Sequence, residues 1–576
     1  MNVRVFQPTE QQARVIAHEG SAFISACPGA GKTRVLVERA RRLLAGQAKG
    51  KGVAFLSFTT AAVFELETRL RREGLIGTPL FPHFIGTFDS FLWQYLIAPF
   101  GAPGCSTRPR LIPDKEGWLV QPFPSAQALP LTCFDRATGN SIESLVARHG
   151  FQGQIGAYET AARTIRTRFL ERGELDFEDV REISLIRLRN QTSSEVLSRS
   201  MAARFRELIV DEAQDCNPLD LEIIAWFRDA GIPVKVICDP NQAIYGFRGS
   251  VTSELSDFAQ GFQEASRLAL TGNFRSSAHI SKAVTAFRTP GSNSGIDEAI
   301  GEHKDEAAVV QVLSYSGRSV PSTIGAKFRE LAASMRFDAR YCPVLAATKL
   351  TGANALGHPA DNGVKDLSYR LAMAISNYHF SFELGGKKEA LGDLHKLVLE
   401  LEGHVIGKTY HQYVVESGLT PDVWRPRMLQ LADALRFDPV RFATADNWLE
   451  SARQLLAPHL PANSVQTINQ RLRRNADLAS ALVSAPPAGH PARTIHSVKG
   501  MEFPAVCVVL SPATAKGIMD SLADQSGGSD SEEARKIYVG VSRAQRLLVI
   551  AVPKSQSKRL VSLLQSTGAG ISCDTV

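Results

Sequence analysis

The stretch Ala26-Cys-Pro-Gly-Ala-Gly-Lys-Thr33 carries the pattern that decides the fold of this chain. It follows a short apolar run at 21–25 and precedes residues 33–44, in which apolar side chains recur at helical spacing. A strand, a glycine-rich loop and a helix in this order form a phosphate-binding loop, because glycines let backbone N–H groups turn toward phosphate oxygens at a helix N-terminus. We predict that Lys32 reaches the terminal phosphates of a nucleotide and that the Thr33 hydroxyl holds Mg²⁺. The residues expected around the phosphates are Ala26, Cys27, Pro28, Gly29, Ala30, Gly31, Lys32 and Thr33.

A second apolar run, Arg206-Glu-Leu-Ile-Val210, ends in the acidic pair Asp211 and Glu212. Ligands of parallel sheets bind at the carboxyl ends of the strands, so this pair is expected at the nucleotide. Asp211 is placed to hold Mg²⁺ through water, and Glu212 to take a proton from an attacking water. The loop and the acidic pair together predict a Mg²⁺-dependent nucleoside triphosphatase.

The composition sets the broad class of the protein. The chain has 576 residues, 44% hydrophobic and 21% charged, which is ordinary for a globular protein of three or four domains. Its net charge of +7 permits a polyanionic partner without requiring one. The eight cysteines form no CxxC pair, which argues against a zinc or iron–sulfur site and favours a reducing compartment. We find no apolar run of about 18 residues, so we expect a cytoplasmic protein with no membrane partner.

Seven further segments accompany the loop and the acidic strand end. In chain order they are 7–11 (QPTEQ), 56–62 (LSFTTAA), 86–91 (GTFDSF), 238–249 (CDPNQAIYGFRG), 270–276 (LTGNFRS), 494–503 (TIHSVKGMEF) and 532–544 (EEARKIYVGVSRA). All nine segments, in this order, resemble the motifs of the UvrD/Rep-type superfamily 1 DNA helicases. The resemblance extends over residues 7–544, nearly the whole chain. It implies an α/β fold with two RecA-like motor domains built on parallel sheets, each carrying a mostly helical insertion.

The resemblance also implies roles for residues around the adenine and the ribose. Gln11 matches the family glutamine that reads the adenine edge, which would favour ATP. Arg34 and Phe274 match the residues that sandwich the adenine ring, and guanidinium and aromatic faces both stack on a base. Glu502 matches a ribose contact. The implied cofactors are therefore ATP and Mg²⁺.

Three more residues match the family positions that act on the terminal phosphate. Gln242 corresponds to the glutamine that senses the γ-phosphate and the attacking water. Arg275 and Arg543 correspond to two arginine fingers of the second motor domain, whose planar cations stabilise charge on the transferred phosphoryl group. With Lys32, Asp211 and Glu212 they complete the expected catalytic set.

Binding of single-stranded DNA without sequence readout uses aromatic platforms and backbone contacts. The residues at family positions near the strand are Phe58, Thr59, Tyr245, Phe247, Arg248 and His496. Phe247 replaces the usual tryptophan, Thr60-Ala61 replaces Asn-Lys, and Asp89 replaces a common histidine. Losing two basic side chains and gaining a carboxylate is expected to weaken the contact with phosphates. The expected partners are single-stranded DNA and single-strand/duplex junctions.

The positions of the motifs predict the division into domains. Residues 1–98 and 204–268 would form the first motor domain, with a helical insertion at 99–203. Residues 269–350 and 488–556 would form the second, with a shortened helical insertion at 351–487, and 557–576 would be a C-terminal tail. The family's usual Gly-plus-aromatic motif before Lys365-Asp-Leu367 is not found, which is the clearest departure from the family pattern.

Alternatives from different classes follow from these observations. The first is an ATP-dependent 3′→5′ translocase and helicase acting in repair or recombination, because the motifs resemble the 3′→5′ branch more than the RecD-like branch. The second is a DNA-sensing ATPase subunit that acts with a nuclease partner. The compact second insertion fits this alternative. In its length, the chain resembles the UvrD-like subunits of anti-phage systems such as Gabija. A third, a non-hydrolysing scaffold, is disfavoured because the catalytic set is complete.

Overall fold

The protein is described from a computed structural model, which covers residues 6–45, 50–105, 107–112, 115, 117–244, 252–288, 295–357, 366–380, 384–405, 409–483, 490–523 and 532–576. The chain divides into two compact units. The first consists of Met1–Pro99, Val180–Ala360 and Gly489–Val576, and the second of Phe100–Asp179 and Asp361–Ala488. Among the described residues, we find no helix with the length and apolarity needed to span a membrane.

Strands and helices are numbered along the chain. The strands are β1 Ala22–Ala26, β2 Gly52–Ser57, β3 Phe84–Thr87, β4 Arg110–Leu111, β5 Leu119–Val120, β6 Leu129–Pro130, β7 Glu174–Leu175, β8 Phe205–Val210, β9 Val234–Cys238, β10 Arg267–Leu270, β11 Gly272–Asn273, β12 Glu298–Ala299, β13 Val310–Tyr315, β14 Val344–Ala346, β15 Ala492–Thr494, β16 Phe503–Val509, β17 Ala544–Pro553 and β18 Ile571–Thr575.

The helices are α1 Glu10–Ala17, α2 Lys32–Ala45, α3 Thr60–Arg72, α4 Phe88–Leu92, α5 Glu143–Arg148, α6 Gly156–Glu171, α7 Phe177–Arg189, α8 Gln191–Arg204, α9 Pro218–Asp229, α10 Thr252–Gln260, α11 Ala278–Ala286, α12 Thr323–Ser334, α13 Lys349–Leu356, α14 Leu367–Phe380, α15 Leu384–Leu401, α16 Tyr410–Glu416, α17 Pro421–Ala434, α18 Ala445–Leu456, α19 Ile468–Arg471, α20 Leu478–Val483, α21 Ala515–Ala523, α22 Glu532–Val541 and α23 Lys554–Ser566. A short 3₁₀ turn at Ala213–Asp215 follows the acidic pair, and two more, at Pro240–Gln242 and His496–Val498, lie within two of the other predicted motifs.

The first unit contains two six-stranded sheets, and all pairings within both sheets are parallel. The strand order is β10-β1-β9-β8-β2-β3 in the first sheet and β15-β14-β16-β17-β13-β18 in the second. The central strands β2 and β9 are buried along their whole length. Apolar side chains on both faces are expected of strands covered by helices on two sides. The predicted α/β fold with parallel sheets is confirmed.

The first sheet brings the predicted motifs to one edge. In the sheet β1 lies between β10 and β9, and β8 is the next neighbour of β9. Parallel strands end at the same edge, so the segments that follow β1, β8 and β9 are adjacent. Those segments are 26–33, the acidic pair after Val210, and Asp239 with the turn Pro240–Gln242.

The C-terminal residues are part of the second sheet. Residues 557–576, predicted to be a tail, form most of α23 and all of β18, and β18 pairs with β13 from Ile571 to Thr575. Leu560 and Leu564 of α23 are fully buried, which explains why this segment does not extend into solvent. The prediction of a tail is therefore corrected.

The second unit is mostly helical and has cores of its own. One cluster joins α14, α15, α17, α18 and α20 around Trp448, whose indole N–H donates to Leu435 O at 2.7 Å. Another packs Trp118, Phe134 and Phe169 between the short strands and α6. The boundary between the units falls after Asp179, so 180–203 belongs to the first unit, whereas the predicted insertion extended to residue 203. The division of the first unit into two motor domains stays a prediction.

Candidate active site

The loop 26–33 has the backbone conformation that a phosphate cradle requires. Gly29 and Gly31 both have φ of +74°, a region that residues with a side chain rarely adopt. A Cβ on Gly29 would lie 2.5 Å from Asn273 Oδ1, so the segment that follows β10 packs tightly on the loop. The loop is fixed from this side by Phe274, whose N–H donates to Gly29 O at 2.9 Å. The loop residues Ala26, Cys27, Pro28 and Ala30 are buried.

Lys32 and Glu212 form an ion pair at the centre of the site. The Lys32 Nζ to Glu212 Oε1 distance is 3.1 Å, and the other carboxylate oxygen of Glu212 accepts from Gln214 Nε2. Burial alone would lower the pKa of Lys32, but the carboxylates of Glu212 and Asp211 raise it. Glu212 has a left-handed backbone with φ of 56°, a strained conformation for a non-glycine residue that recurs at active sites.

The surroundings of Asp211 fit a divalent cation. Burial, reinforced by the charge of Glu212, raises the pKa of Asp211, and a cation would offset both effects. Ser57 Oγ is buried with no hydrogen-bond partner in the described part of the chain, and it lines a small cavity together with Asp211. An oxygen-only donor set and an unsatisfied hydroxyl beside it suit hydrated Mg²⁺, which retains several of its waters. Thr33 lies in the first turn of α2 next to this site.

Gln242 connects the first sheet to Arg543. Its Nε2 donates to Asp239 Oδ2 at 2.8 Å, and its Oε1 accepts from Arg543 Nη2 at 2.9 Å. Arg543 follows α22 and is fixed by further donations to Val539 O at 3.1 Å and Met501 O at 3.3 Å. Burial and the nearby charge of Arg275 lower the pKa of Arg543 to about 9. A buried cation of this kind is expected to gain from a negative charge at the cleft.

Arg275 and Glu502, predicted to contact different parts of ATP, pair with each other. Arg275 Nε lies 2.8 Å from Glu502 Oε2, and its Nη1 donates to Ser542 O at 2.9 Å. Arg275 is thus held beside Arg543, consistent with its charge lowering the pKa of Arg543. Glu502 is half-exposed, so its carboxylate is accessible as well as paired.

The residues predicted around the adenine also have protein partners. Gln11 exchanges two hydrogen bonds with Thr271: Thr271 N donates to Gln11 Oε1 at 2.9 Å, and Gln11 Nε2 donates to Thr271 Oγ1 at 2.9 Å. The Arg34 guanidinium lies 4.8 Å from the centre of the Phe6 ring and pairs with Glu38 and Glu73 at 2.8 and 2.9 Å. The ring of Phe274 is about one-third exposed.

The predicted DNA-binding residues lie in three places. Phe58 is partly buried and stacks on Phe88, with ring centroids 5.4 Å apart and planes at 25°. Thr59 caps α3 by accepting from Ala62 N. His496 lies on a 3₁₀ turn with its Nε2 3.2 Å from Ile244 O. The remaining predicted residues lie outside the described residues: Tyr245, Phe247 and Arg248.

Asp89, which replaces a common histidine, has a structural partner. Its Oδ1 lies 2.5 Å from Arg181 Nη2, and Arg181 Nε also lies 2.7 Å from Asp220 Oδ1. The carboxylate that was expected to weaken phosphate binding is therefore paired with an arginine of α7, which offsets its charge.

Sequence reasoning missed five residues that this site uses: Gln214, Asp215, Asp239, Lys499 and Tyr538. Gln214 donates to Glu212, and its Oε1 accepts from Asp239 N at 3.0 Å. Tyr538 OH donates to Asp239 Oδ2 at 3.1 Å. Lys499 pairs with Asp215 at 2.5 Å, and its charge also lowers the pKa of Glu212. Asp239, Lys499 and Tyr538 stand inside the quoted motifs, and Gln214 and Asp215 follow the acidic pair closely, so the signal was present, but each of them has a partner in another segment.

Two family models match the chain, over just more than half of its residues. The UvrD/REP helicase N-terminal domain matches 8–119 and 140–263, and the UvrD-like helicase C-terminal domain matches 491–555. The ATP-dependent DNA helicase UvrD2 of Mycobacterium tuberculosis (strain ATCC 25618 / H37Rv) is 23% identical over 584 residues, covering 95% of this chain and 79% of UvrD2.

Two other relatives match a smaller part. The ATP-dependent DNA helicase UvrD1 of the same strain is 26% identical over 302 residues, covering 48% of this chain and 38% of UvrD1. YjcD of Bacillus subtilis (strain 168) is 27% identical over 286 residues, covering 47% of this chain and 37% of YjcD. The matched part thus spans less than half the length of these two relatives. The chain belongs to the UvrD/Rep family of superfamily 1 DNA helicases and is an ATP-hydrolysing enzyme of that family.

Proposed function

We propose that this chain is a 3′→5′ translocase and helicase that moves along single-stranded DNA at the expense of ATP. The observation that carries the proposal is the hydrogen-bonded link from the first sheet to the second through Gln242 and Arg543. A nucleotide whose terminal phosphate lies between the loop 26–33 and Arg543 would contact both sheets. Binding and release of this nucleotide can then move one sheet relative to the other.

The residues divide the chemistry of hydrolysis among them. The loop N–H groups and Lys32 bind the phosphates, while Thr33 and Asp211 hold Mg²⁺, which supplies positive charge to the phosphate oxygens when bound. Glu212 accepts a proton from the attacking water. Its low pKa keeps the carboxylate ionised. Gln242 orients the water.

Two arginines outside the first sheet are proposed to supply the cations that stabilise the transferred phosphoryl group. Arg275 and Arg543 lie at the ends of β11 and α22, and both donate to fixed protein oxygens, so little side-chain entropy is lost during the reaction. Arginine fingers increase phosphoryl-transfer rates by on the order of 10³–10⁵. Gln11, Arg34, Phe274 and Glu502 are proposed to bind the adenosine.

DNA is proposed to contact Phe58, Thr59 and His496, together with Tyr245, Phe247 and Arg248. Support comes from the family and from the position of Phe58, which follows a strand of the first sheet directly, with Thr59 next as the cap of α3. Because β2 and β8 are neighbours in that sheet, the segment that carries Phe58 and the acidic pair begin one strand spacing apart. The polarity rests on the resemblance of the motifs to the 3′→5′ branch.

Strand displacement on tailed duplexes tests this proposal. The full chain with ATP and Mg²⁺ should displace a strand from a duplex with a 3′ single-stranded tail and not from one with a 5′ tail. Lys32→Ala should abolish displacement and DNA-stimulated ATP hydrolysis in a chain that still folds, as checked by circular dichroism. Displacement from 5′ tails alone would refute the polarity, and full turnover by Lys32→Ala would refute the assignment of the ATP site.

A role in repair or recombination and a role as a partner-bound defence subunit remain separate predictions. They differ in what the purified chain can do alone. A repair helicase unwinds the 3′-tailed duplex without a partner. A DNA-sensing subunit hydrolyses ATP in response to DNA but needs a nuclease partner, which should co-purify with the chain from its native host.

A further inference from the structure

The carboxylate of Asp239 lies at the centre of a buried polar network between β9 and α22. Asp239 accepts from Gln242 Nε2 at 2.8 Å, from Asn241 N at 3.1 Å and from Tyr538 OH at 3.1 Å. Asp239, Gln242 and Tyr538 are each at most 4% exposed. Because polar groups are buried here without solvent, each hydrogen bond fixes the orientation of its partner.

These contacts determine which way the amide of Gln242 faces. An amide has a donating end and an accepting end, whereas a guanidinium can only donate. Asp239 holds the donating end of Gln242, which leaves Oε1 to accept from Arg543 Nη2 at 2.9 Å. With the amide rotated by half a turn, two donors would face each other at Arg543 and two acceptors at Asp239. The position of the Asp239 carboxylate therefore fixes both the orientation of the Gln242 amide and the position of Arg543.

The hydroxyl of Tyr538 connects Asp239 to a second buried charge. Arg288, at the end of α11, pairs with Asp297 and contributes a hydrogen bond to Tyr538. Since the guanidinium only donates, the Tyr538 oxygen accepts from Arg288 and uses its own proton to donate to Asp239. A phenylalanine at this position would fill the same space but would leave both polar neighbours with one partner fewer.

We propose that Tyr538 is a positioning residue for ATP hydrolysis. Its hydroxyl holds Asp239 so that Gln242 presents its carbonyl oxygen to Arg543 and its amide remains correctly placed for the attacking water. The inference rests on the proposed function, in which Gln242 and Arg543 act on the terminal phosphate. Tyr538 itself touches neither nucleotide nor water in this scheme, so its removal should reduce turnover without reducing ATP binding.

The test measures DNA-stimulated ATP hydrolysis by the full chain and binding of a non-hydrolysable ATP analogue. Gln242→Ala, Tyr538→Phe and the double variant are compared with the unchanged chain. The matched control is Tyr315→Phe, because Tyr315 is equally buried and its hydroxyl donates to Leu510 O at 2.5 Å within the second sheet. Asp239→Asn, which keeps the shape of the side chain, is a second variant in case Tyr538→Phe does not fold.

We expect Tyr538→Phe to lower kcat about tenfold with analogue affinity within about twofold, and Tyr315→Phe to stay within about twofold in both. In the Gln242→Ala background, Tyr538→Phe should change kcat by less than about twofold, because residues that act as a unit are not additive. Asp239→Asn should behave like Tyr538→Phe.

Any of three results would overturn the inference. The kcat of Tyr538→Phe could be unchanged, or it could fall no further than the kcat of Tyr315→Phe. Tyr538→Phe could also lower kcat in the Gln242→Ala background by the same factor as in the unchanged chain. If Gln242→Ala lowers kcat and Tyr538→Phe does not, only the role of Tyr538 fails. If Gln242→Ala keeps full kcat, the proposed role of Gln242 fails as well, and the inference with it.

Discussion

At the scale of single residues, the two carboxyl groups of the acidic pair differ in their electrostatic surroundings. Asp211 and Glu212 are adjacent and both buried, yet their pKa values move in opposite directions. Burial and the charge of Glu212 raise the pKa of Asp211. Burial would also raise the pKa of Glu212, but Lys32 and Lys499 lower it. A pair of carboxyl groups whose environments push their pKa values apart is typical of sites in which the two groups have different roles.

Glu212→Gln tests the role of this carboxylate. The amide keeps the shape of the side chain but cannot take a proton, so kcat for ATP should fall by about 10²–10⁴ with ATP affinity little changed. The measurement is steady-state ATP hydrolysis with single-stranded DNA, with analogue binding alongside. Glu222→Gln is the matched control, because Glu222 lies on the surface in an exposed ion pair with Arg189. An ATPase activity of Glu212→Gln equal to that of the control would contradict the assignment.

At the scale of an element, the phosphate loop combines two separate constraints. Gly29 needs a positive φ, and it also needs the space that a side chain would occupy. Gly20 has nearly the same φ, +73°, but a Cβ there would meet no atom within 4 Å. A comparison of substitutions at these two glycines therefore separates the effect of backbone strain from the effect of steric exclusion.

Gly29→Ala should impair ATP hydrolysis more than Gly20→Ala. Both variants bear the left-handed backbone penalty of about 1–2 kcal/mol. Only the methyl group at position 29 would lie 2.5 Å from Asn273 Oδ1 and 2.7 Å from Arg275 Cβ. We expect kcat/KM for ATP to fall at least about tenfold for Gly29→Ala and to stay within about twofold for Gly20→Ala, as measured by steady-state hydrolysis. Equal effects in the two variants would show that sterics at Gly29 are unimportant.

At the scale of the whole molecule, the two compact units depend on different cores. The first unit is built on two parallel sheets, and the second on helices that bury Trp448 and its neighbours. Within the second unit, His395 stacks on Trp424 with ring centroids 4.4 Å apart and planes at 8°. Its Nδ1 lies 2.8 Å from Tyr410 OH, so a neutral ring is fixed between α16 and α17.

This histidine makes stability depend on pH. Burial lowers the pKa of His395 to about 4 from its ordinary 6.5. Between these values the unfolded chain binds a proton that the folded chain excludes, so the free energy of unfolding should fall as pH decreases from 6.5 toward 4, by up to about 1.4 kcal/mol per pH unit.

His395→Phe keeps an aromatic ring on Trp424 and should remove this contribution. The measurement is denaturant unfolding of both proteins at pH 7.5, 6 and 5, with the value at pH 7.5 reporting the change in packing and the loss of the hydrogen bond to Tyr410. The difference in free energy of unfolding between the two proteins should move in favour of the variant as pH falls. A constant difference across the three pH values would contradict the prediction.

Local features of the site could be predicted from the sequence because they depend on residues close in the chain. The glycines at 29 and 31, the helix after Lys32 and the acidic end of β8 each follow from spacing and residue type. The partners of these residues could not be predicted in this way. Gln242 and Arg543 are separated by 301 positions, and the contacts of Gln214, Asp239 and Tyr538 likewise join different motifs.

The sequence by itself determined the phosphate loop, the acidic pair, the α/β class and the family, since periodicity and motif order are written along the chain. Only the tertiary structure decided that Asp239 lies between Gln242 and Tyr538, that Arg275 pairs with Glu502, and that residues 557–576 complete the second sheet. The physical reason is that the order of strands in a sheet places the ends of strands distant in sequence side by side. That order is set by burying both faces of each sheet, a property of the whole unit that no short stretch of residues specifies.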